Sequence, residues 1–254
     1  MLTLHRAAFV LPDPADPTAP SIADGAVVVR GELVEAVGPY EELAAAHPGA
    51  RVRDWGEAVL APGLRNPYGH WLLERAYHPD PREEIGVEPV ADGPAGWSAG
   101  AAAGAAVGPA DEARCGASAR RGLQRMLGYG VTAVTGPFER TSVRTAVARS
   151  GIVGLPGPSA VAGGPGGGPR GDSDNDSSGD SGGDSGGSGV GPLDPLAVLP
   201  FAEAVYGRVA AGGRADFAVF PVAVPPGAGR GGVEPAAGGC LATVLGGRLV
   251  YRRR

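Results

Sequence analysis

Three side chains that can bind a metal follow one another at intervals of four residues, namely His70, Glu74 and His78. If the stretch "HWLLERAYH" is helical, this spacing stacks all three on one face. Two imidazoles and a carboxylate can hold zinc and leave a fourth position for a water molecule. Pro79 and Pro81 end any helix directly after the stretch, so a solvated or capping role is the competing interpretation.

A second group of candidate ligands begins like a calcium-binding loop. Asp172, Asp174 and Asp176 occupy positions one, three and five of the stretch "DSDNDSSGD". The sixth position is Ser177 where such a loop needs glycine, and the twelfth is Gly183 where it needs a glutamate. We therefore interpret the stretch as part of an acidic linker and not as a calcium site.

Several other kinds of catalytic site are excluded by the sequence. The chain contains no lysine, so it cannot form a Schiff-base lysine, a phosphate-loop lysine or a carboxylated-lysine metal bridge. Cys115 and Cys240 lie far apart without a C-x-x-C spacing and are expected to be reduced thiols. No Gly-x-Ser-x-Gly elbow, Walker loop or dinucleotide-binding fingerprint occurs.

Composition and charge narrow the class of protein further. With 254 residues, 43% of them hydrophobic, the chain can bury one large core or two modest ones. The net charge of -5 gives no field that would attract nucleic acid or an anionic membrane, and the run Arg252–Arg254 is too short to change this. No apolar run approaches the length of a transmembrane helix and no signal peptide is recognisable, so we expect a cytoplasmic protein.

The two ends of the chain share an alternating pattern that is typical of half-buried strands. At the N-terminus this pattern runs through "LTLHRAAFVL", "GAVVVRGELVEAVGP" and "ARVRDWGEAVLAPG", with a turn at Gly31-Glu32 and a short helix in "PYEELAAAHPG". At the C-terminus it runs through "ADFAVFPVAV" and "CLATVLGGRLVYRR", with a hairpin turn at Gly246-Gly247. We expect the ends to pair in space as one discontinuous domain.

The middle of the chain changes to an alternation of helix and strand. "DEARCGASARRGLQRMLGYG" predicts a helix, "VTAVTG" a strand, "RTSVRTAVARSG" a second helix and "IVGLPGP" a second strand, which indicates a parallel α/β unit. The run of Gly, Ser and Asp over residues 162–191 has almost no apolar side chains and is predicted to be a disordered linker. A last helix is predicted over residues 192–213.

These stretches together resemble one enzyme superfamily. "IADGAVVVRGELVEAVGPYEEL" with "LAPGLRNPYGH", then "GLQRMLGYGVTAVTG", and finally "GGRADFAVF" with "VLGGRLVYR" are similar to the amidohydrolases, nearest to imidazolonepropionase and to aminodeoxyfutalosine deaminase-like members. The resemblance implies a hydrolase of non-peptide carbon-nitrogen bonds, with a zinc or iron ion at the top of a (β/α)8 barrel and a composite β-sandwich beside it. Asp216 matches a family position at the start of a sandwich strand, where it has a structural role.

The sequence departs from the superfamily pattern where the metal would bind. Tyr68, Gly69 and His70 stand at the position of the family's His-x-His pair, so only His70 can be carried over as a metal ligand. No histidine follows His78, and the lysine that some members use is absent. A complete barrel needs about 250 residues, whereas Pro62 and Gly213 enclose far fewer, so most of the barrel is missing.

We therefore predict an α/β plus all-β protein: a composite β-sandwich from residues 1–62 and 214–254, a partial barrel-like region over 63–161, the linker 162–191 and the returning helix 192–213. The predicted function is that of a pseudoenzyme, without cofactor or catalytic residues, that binds an unknown small molecule or a related family enzyme, and that can form a homo-oligomer through unpaired strand edges. The alternative is an active metal-dependent carbon-nitrogen hydrolase whose unusual site is built on His70, Glu74 and His78.

Overall fold

The computed structural model of the chain describes residues 2–84, 86, 88–90, 109–157, 192–222 and 234–253. The predicted linker and the calcium-like stretch with Asp172, Asp174 and Asp176 lie outside these residues, so both remain predictions. Within the described residues, no helix is long and apolar enough to cross a membrane.

The elements fall into three groups along the chain. The N-terminal part contains β1 (Leu2–Val10), β2 (Ile22–Arg30), β3 (Leu33–Pro39), α1 (Tyr40–Ala46), β4 (Arg51–Asp54) and β5 (Ala58–Pro62). The middle contains β6 (Leu64–Asn66), a π-helical turn (Trp71–Arg75), a 3-10 turn (Pro81–Glu83), α2 (Pro109–Leu127), β7 (Val131–Thr135), α3 (Thr141–Ser150) and β8 (Val153–Leu155). The rest contains a 3-10 turn (Pro195–Ala197), α4 (Phe201–Ala204), β9 (Phe217–Pro221), β10 (Ala242–Leu245) and β11 (Arg248–Arg252).

The two ends of the chain form one mixed sheet of eight strands in the order β11-β10-β9-β5-β1-β2-β3, with β4 paired to β1. β5 and β9 pair in antiparallel fashion, with Ala58 opposite Pro221 and Pro62 opposite Phe217. This pairing confirms the prediction that the two ends meet in space. The strands are hydrogen-bonded as one continuous sheet, whereas the predicted sandwich would consist of two separately paired sheets.

β9 shows how this sheet is buried on both of its faces. Successive side chains of a strand point to opposite faces, and Phe217 and Val219 enter one apolar cluster with Val10, Val27 and Val244. Ala218 and Phe220 enter the other cluster, which also contains side chains of β6, the π-helical turn, α2 and α3. The second face of the sheet is therefore the surface that packs against the middle of the chain.

Two hairpin turns hold the N-terminal and C-terminal strands together. Gly31 lies between β2 and β3 with φ +64°, and Gly247 lies between β10 and β11 with φ +71°, a region that favours glycine. A Cβ atom at Gly247 would collide with the backbone carbonyl of Gly31. Both predicted hairpins are present, and their glycines allow the two turns to approach each other.

The middle of the chain forms a three-stranded parallel sheet in the order β6-β7-β8. Both predicted helices and both predicted strands of this region are present, and α3 is capped at its C-terminus by Gly151, which has φ +81°. Because β6, β7 and β8 run parallel, their carboxyl ends lie along one edge of the sheet. The loops at this edge carry His70, Glu74 and Arg140.

The segment over residues 192–213 differs from the predicted helix. It contains only a 3-10 turn at Pro195–Ala197 and the four-residue helix α4. Pro195 begins the first of these and Pro200 immediately precedes the second. Proline lacks a backbone N–H and forces the preceding residue away from helical geometry, so a single continuous helix cannot pass through both positions.

Candidate functional site

The candidate site lies at the carboxyl ends of β6 and β7. Asn66, the buried last residue of β6, accepts a hydrogen bond from the Tyr68 N–H at 2.9 Å and donates to the carbonyls of Pro192 and Leu193 at 3.0 and 3.2 Å. A Cβ atom at Gly69 would lie 2.7 Å from the Thr135 carbonyl oxygen. Asn66 and Gly69 therefore shape the turn that brings His70 against the end of β7.

His70 is held through one of its two ring nitrogens. Its Nδ1 lies 2.6 Å from the carbonyl oxygen of Pro137 and 3.5 Å from Oε2 of Glu74. A carbonyl can only accept, so Nδ1 must carry the proton, which leaves the Nε2 lone pair as the acceptor or ligand atom. Metal-binding histidines commonly donate their second ring N–H to a backbone carbonyl or a carboxylate in this way. The His70 side chain is 25% exposed.

Glu74 lies behind His70 and is directed toward the start of α3. Its Oε1 accepts a hydrogen bond from the backbone N–H of Arg140 at 2.8 Å, and its side chain is only 5% exposed. Burial raises the pKa of Glu74, although the Arg140 N–H and His70 act in the opposite direction. The carboxylate thus connects the loop after β6 with the loop after β7.

The Arg140 side chain extends the network to α2. Its Nη1 lies 3.0 Å from Sγ of Cys115 and 3.7 Å from Oε1 of Glu112. Glu112 also accepts a hydrogen bond from the Ser142 N–H at 3.2 Å. Burial raises the pKa of Cys115 despite the adjacent Arg140, which favours a protonated thiol and not a nucleophile. No sequence signal marks this group, because its members lie far apart in the chain and match no motif.

His78 does not join His70 and Glu74. The predicted stacking required a regular helix, but the π-helical turn ends at Arg75 and Ala76 is extended. His78 is fully buried, its Nε2 lies 2.8 Å from the Leu72 carbonyl oxygen, and its backbone N–H donates to Ser118. Burial lowers its pKa to about 4, so the ring is neutral at pH 7 and Nε2 donates the hydrogen bond to Leu72.

Among the described residues, the metal site that the family resemblance implies is not formed. A catalytic zinc site usually takes three protein ligands and an open position. Glu74 and His78 are engaged with Arg140 and Leu72, and the described residues include no group of three His, Cys, Asp or Glu side chains that could hold a metal. The three-ligand arrangement is thus not formed there, while metal binding by His70 alone remains a prediction.

Asp216 makes the contacts of a structural residue. It lies just before β9, its Oδ1 accepts a hydrogen bond from the Gly246 N–H at 2.7 Å, and its Oδ2 lies 3.0 Å from Nη1 of Arg214. Burial raises the pKa of this carboxyl group. Asp216 thus connects the start of β9 to the turn between β10 and β11.

A cavity of about 220 Å³ lies elsewhere in the molecule. Its walls come mainly from the loop between β1 and β2, including Asp13 and Asp16, together with Phe201 and Glu234. Neither His70, Glu74 nor His78 lines it. The cavity is therefore separate from the candidate site.

Comparison with known proteins identifies related sequences in part of the chain. Residues 25–50 match the family model of the bacterial imidazolonepropionase-like composite domain. An imidazolonepropionase of Pyrobaculum arsenaticum is 38% identical over 72 residues, which are 25% of this chain and 18% of that protein. A 5-methylthioadenosine/S-adenosylhomocysteine deaminase of Nitratidesulfovibrio vulgaris is 47% identical over 49 residues, which are 19% of this chain and 11% of that protein.

Solved structures of similar proteins match a larger share of the chain at lower identity. Guanine deaminase from Bradyrhizobium japonicum matches with a TM-score of 0.41 and 17% identity, covering 61% of this chain and 34% of that one. Aminofutalosine deaminase from Helicobacter pylori matches with a TM-score of 0.40 and 14% identity, covering 61% of this chain and 33% of that one. The sequence matches thus show that part of this chain is similar to imidazolonepropionase-like and deaminase proteins, and the chain spans less than a fifth of the length of these relatives.

Proposed function

We propose that this protein is an amidohydrolase-like binding protein that does not carry out metal-dependent hydrolysis. The observation that supports this proposal is that the three predicted ligands have different hydrogen-bond partners and do not converge on one point. Glu74 and His78 face internal hydrogen-bond partners, whereas His70 is held by Pro137 through Nδ1, so Nε2 is the ring nitrogen left for a ligand. One oriented imidazole can bind a ligand, but it cannot replace the three-ligand set that activates a water molecule.

The proposed architecture is a shortened version of the family's. Three parallel strands with α2 and α3 would correspond to part of the barrel, and the eight-stranded sheet would correspond to the composite sandwich. The pairing of β5 with β9, and the burial of both faces of β9, support the second assignment. The sequence matches cover at most 18% of the length of the related proteins, so their reactions are carried over here only as a guide to ligand chemistry.

The ligand proposed for His70 is a small polar heterocycle. The related proteins are named for imidazolonepropionate and for methylthioadenosine or S-adenosylhomocysteine, whose rings are nitrogen heterocycles. A ring N–H or an exocyclic amine can donate to the Nε2 atom of His70, which the Pro137 carbonyl keeps in the correct tautomer. Binding of this kind needs no ionised ligand and no metal.

Metal analysis and ligand titration test this proposal together. We expect purified protein to contain far less than one equivalent of zinc or iron. Adding imidazolonepropionate or methylthioadenosine should shift the His70 ring resonances in an NMR spectrum without any conversion of the added compound. His70→Ala should abolish the binding, whereas His47→Ala, at the end of α1, should leave it unchanged.

Stoichiometric zinc that is lost in His70→Ala, together with turnover of either compound, would instead establish the active hydrolase. A protein that contains no metal and shows no change in its His70 resonances with either compound would contradict ligand binding at this position.

A related enzyme or a second copy of the chain is the proposed macromolecular partner. In the described part of the chain, β8 pairs only with β7, so its other side is an edge where another strand can pair. Size-exclusion chromatography with light scattering should give the mass of a dimer or larger species at micromolar protein concentration. A monomer at every concentration tested would argue against self-association through this edge.

A further inference from the structure

Three arginines and a tryptophan lie together on the eight-stranded sheet and form what we call the arginine strip. Arg51 and Arg53 are two residues apart in β4, so their side chains point to the same face. Trp55 follows β4 directly and stacks on His5 with ring centroids 6.0 Å apart. The guanidinium carbon of Arg252 in β11 lies 5.9 Å from the centroid of the Trp55 ring.

Among the described residues, no carboxylate forms an ion pair with an arginine of the arginine strip. Burial lowers the pKa of Arg53, and the positive charges of Arg51 and Arg252 lower it further. In the part of the chain that the structure describes, none of these three arginines forms an ion pair, whereas Arg6 and Arg30 on the same sheet are paired with Asp and Glu. The strip therefore gathers unbalanced positive charge in a protein whose net charge is -5.

β4 also offers backbone groups to a partner. Among the described strands it pairs only with β1, through four residues from Thr3 opposite Arg51 to Arg6 opposite Asp54. Arg51, Val52 and Asp54 are exposed. An edge strand of this kind can accept an extended peptide as an additional strand, and side chains at alternate positions of the peptide then meet those of the edge strand.

We infer that the arginine strip binds an acidic peptide of a partner protein, which adds to the open edge of β4 and places alternate carboxylates against Arg51 and Arg53. Arginine binds carboxylates through paired N–H donors, which sets the position of the peptide as well as its affinity. The unpaired edge favours a peptide over nucleic acid, because phosphates cannot continue the hydrogen bonds of a sheet. The negative charge of the rest of the protein also opposes a polyanion as long as DNA.

Fluorescence anisotropy with a labelled acetyl-(Asp-Thr)4-amide peptide tests this inference on the full chain. At low ionic strength the wild-type protein should bind the peptide, and the double variant Arg51→Gln/Arg53→Gln should bind at least about tenfold more weakly. Arg30→Gln is the matched control, because Arg30 is an exposed arginine on the same sheet that is already paired with Glu35. Its affinity for the peptide should equal that of the wild type.

Two further probes separate the parts of the inference. A peptide that is N-methylated at alternate residues keeps its charge but loses the N–H groups that a new strand needs, so it should bind more weakly than the parent peptide. A single-stranded DNA of equal charge should also bind more weakly. Equal binding of the methylated peptide, tighter binding of the DNA, or unchanged binding by the double variant would each overturn the inference, as would no binding by folded wild-type protein.

Discussion

The eight-stranded sheet and the three-stranded sheet differ in what they bury. Within the strands of the larger sheet, the buried polar side chains in the described residues are His5 and Thr243. The smaller sheet and the elements around it bury six: Asn66, Glu74, His78, Ser118, Thr132 and Asp194. Burying a polar group is unfavourable unless it is hydrogen-bonded, so such groups are concentrated where they have a specific task. Both regions contribute to the hydrophobic core, but the larger sheet buries almost only apolar side chains, whereas the smaller region also buries polar groups, among them Asn66 and Glu74 of the candidate site.

The largest effect should come from the apolar region. Phe217→Ala removes a fully buried ring from β9 and should lower the free energy of unfolding by about 3–5 kcal/mol, because a cavity remains in a close-packed core. Urea denaturation followed by circular dichroism measures this loss. Leu33→Ala, at a side chain that is 51% exposed, is the control and should change stability by less than about 0.5 kcal/mol. A small loss for Phe217→Ala would mean that the sheet is not the main core.

A second prediction concerns the buried histidine of the smaller region. The folded-state pKa of His78 is lowered from 6.5 to about 4, so the unfolded chain takes up this proton first as the pH falls. The contribution of the neutral His78 ring to the free energy of unfolding is therefore present above pH 6.5 and is lost as the pH falls from there toward 4. Between pH 7 and pH 5 the loss should be about 2 kcal/mol.

The variant His78→Gln tests this assignment, because glutamine can still donate to the Leu72 carbonyl but does not titrate. Its unfolding free energy should vary less with pH than that of the wild type over the same range. His5 is the corresponding buried histidine of the larger sheet, because burial and Arg53 lower its pKa to about 3. It remains in the His78→Gln variant, so the pH dependence that persists in that variant includes the contribution of His5. If the pH dependence is the same with and without the His78 substitution, the acid sensitivity belongs to another group.

The two regions also differed in how far they could be predicted from sequence. The strands at both ends were predictable because alternation has a period of two and the glycine turns mark the hairpins, as at Gly31 and Gly247. The contact between His70 and Glu74 was predictable from their spacing of four. The π-helical turn was not, since no residue type selects it, and it is this turn that leaves His78 outside the group.

Contacts over long sequence separations set the other limit on prediction. Glu74 accepts from Arg140, which is 66 residues away, and Arg140 reaches Cys115 on another helix. Neither contact has a sequence signature, because each depends on how β6, β7 and α2 pack together. The helix prediction for residues 192–213 was wrong for a local reason instead. The apolar residues of this segment suggested a continuous helix, which Pro195 and Pro200 do not permit.

A third prediction compares one turn from each region. Gly31 between β2 and β3 has φ +64°, and Gly151 at the end of α3 has φ +81°. Each is replaced by alanine in a separate variant, and each substitution should lower stability by about 1 kcal/mol, because an L-residue is strained at these angles. Thermal unfolding of both variants measures the effect. A much larger loss at Gly151 would show that the smaller sheet depends more strongly on its helix ends than the larger sheet does on its turns.

The smallest expected effect tests whether Glu74 is a structural or a retained functional residue. Burial raises its folded-state pKa, so its ionisation opposes folding, and stability is lost as the pH rises through that pKa. Glu74→Gln keeps an oxygen that can accept from the Arg140 N–H but removes the charge, so it should raise stability at pH 8 by less than about 1 kcal/mol. The difference should shrink as the pH falls through the carboxyl range, because the wild-type carboxyl group then becomes protonated. A gain at pH 8 would show that the charge of Glu74 costs stability, as expected of a residue that serves the contact with His70 and not the fold. A loss at pH 8 would instead show that the charged carboxylate stabilises the loop after β7, and the polar groups of the smaller region would then serve the fold.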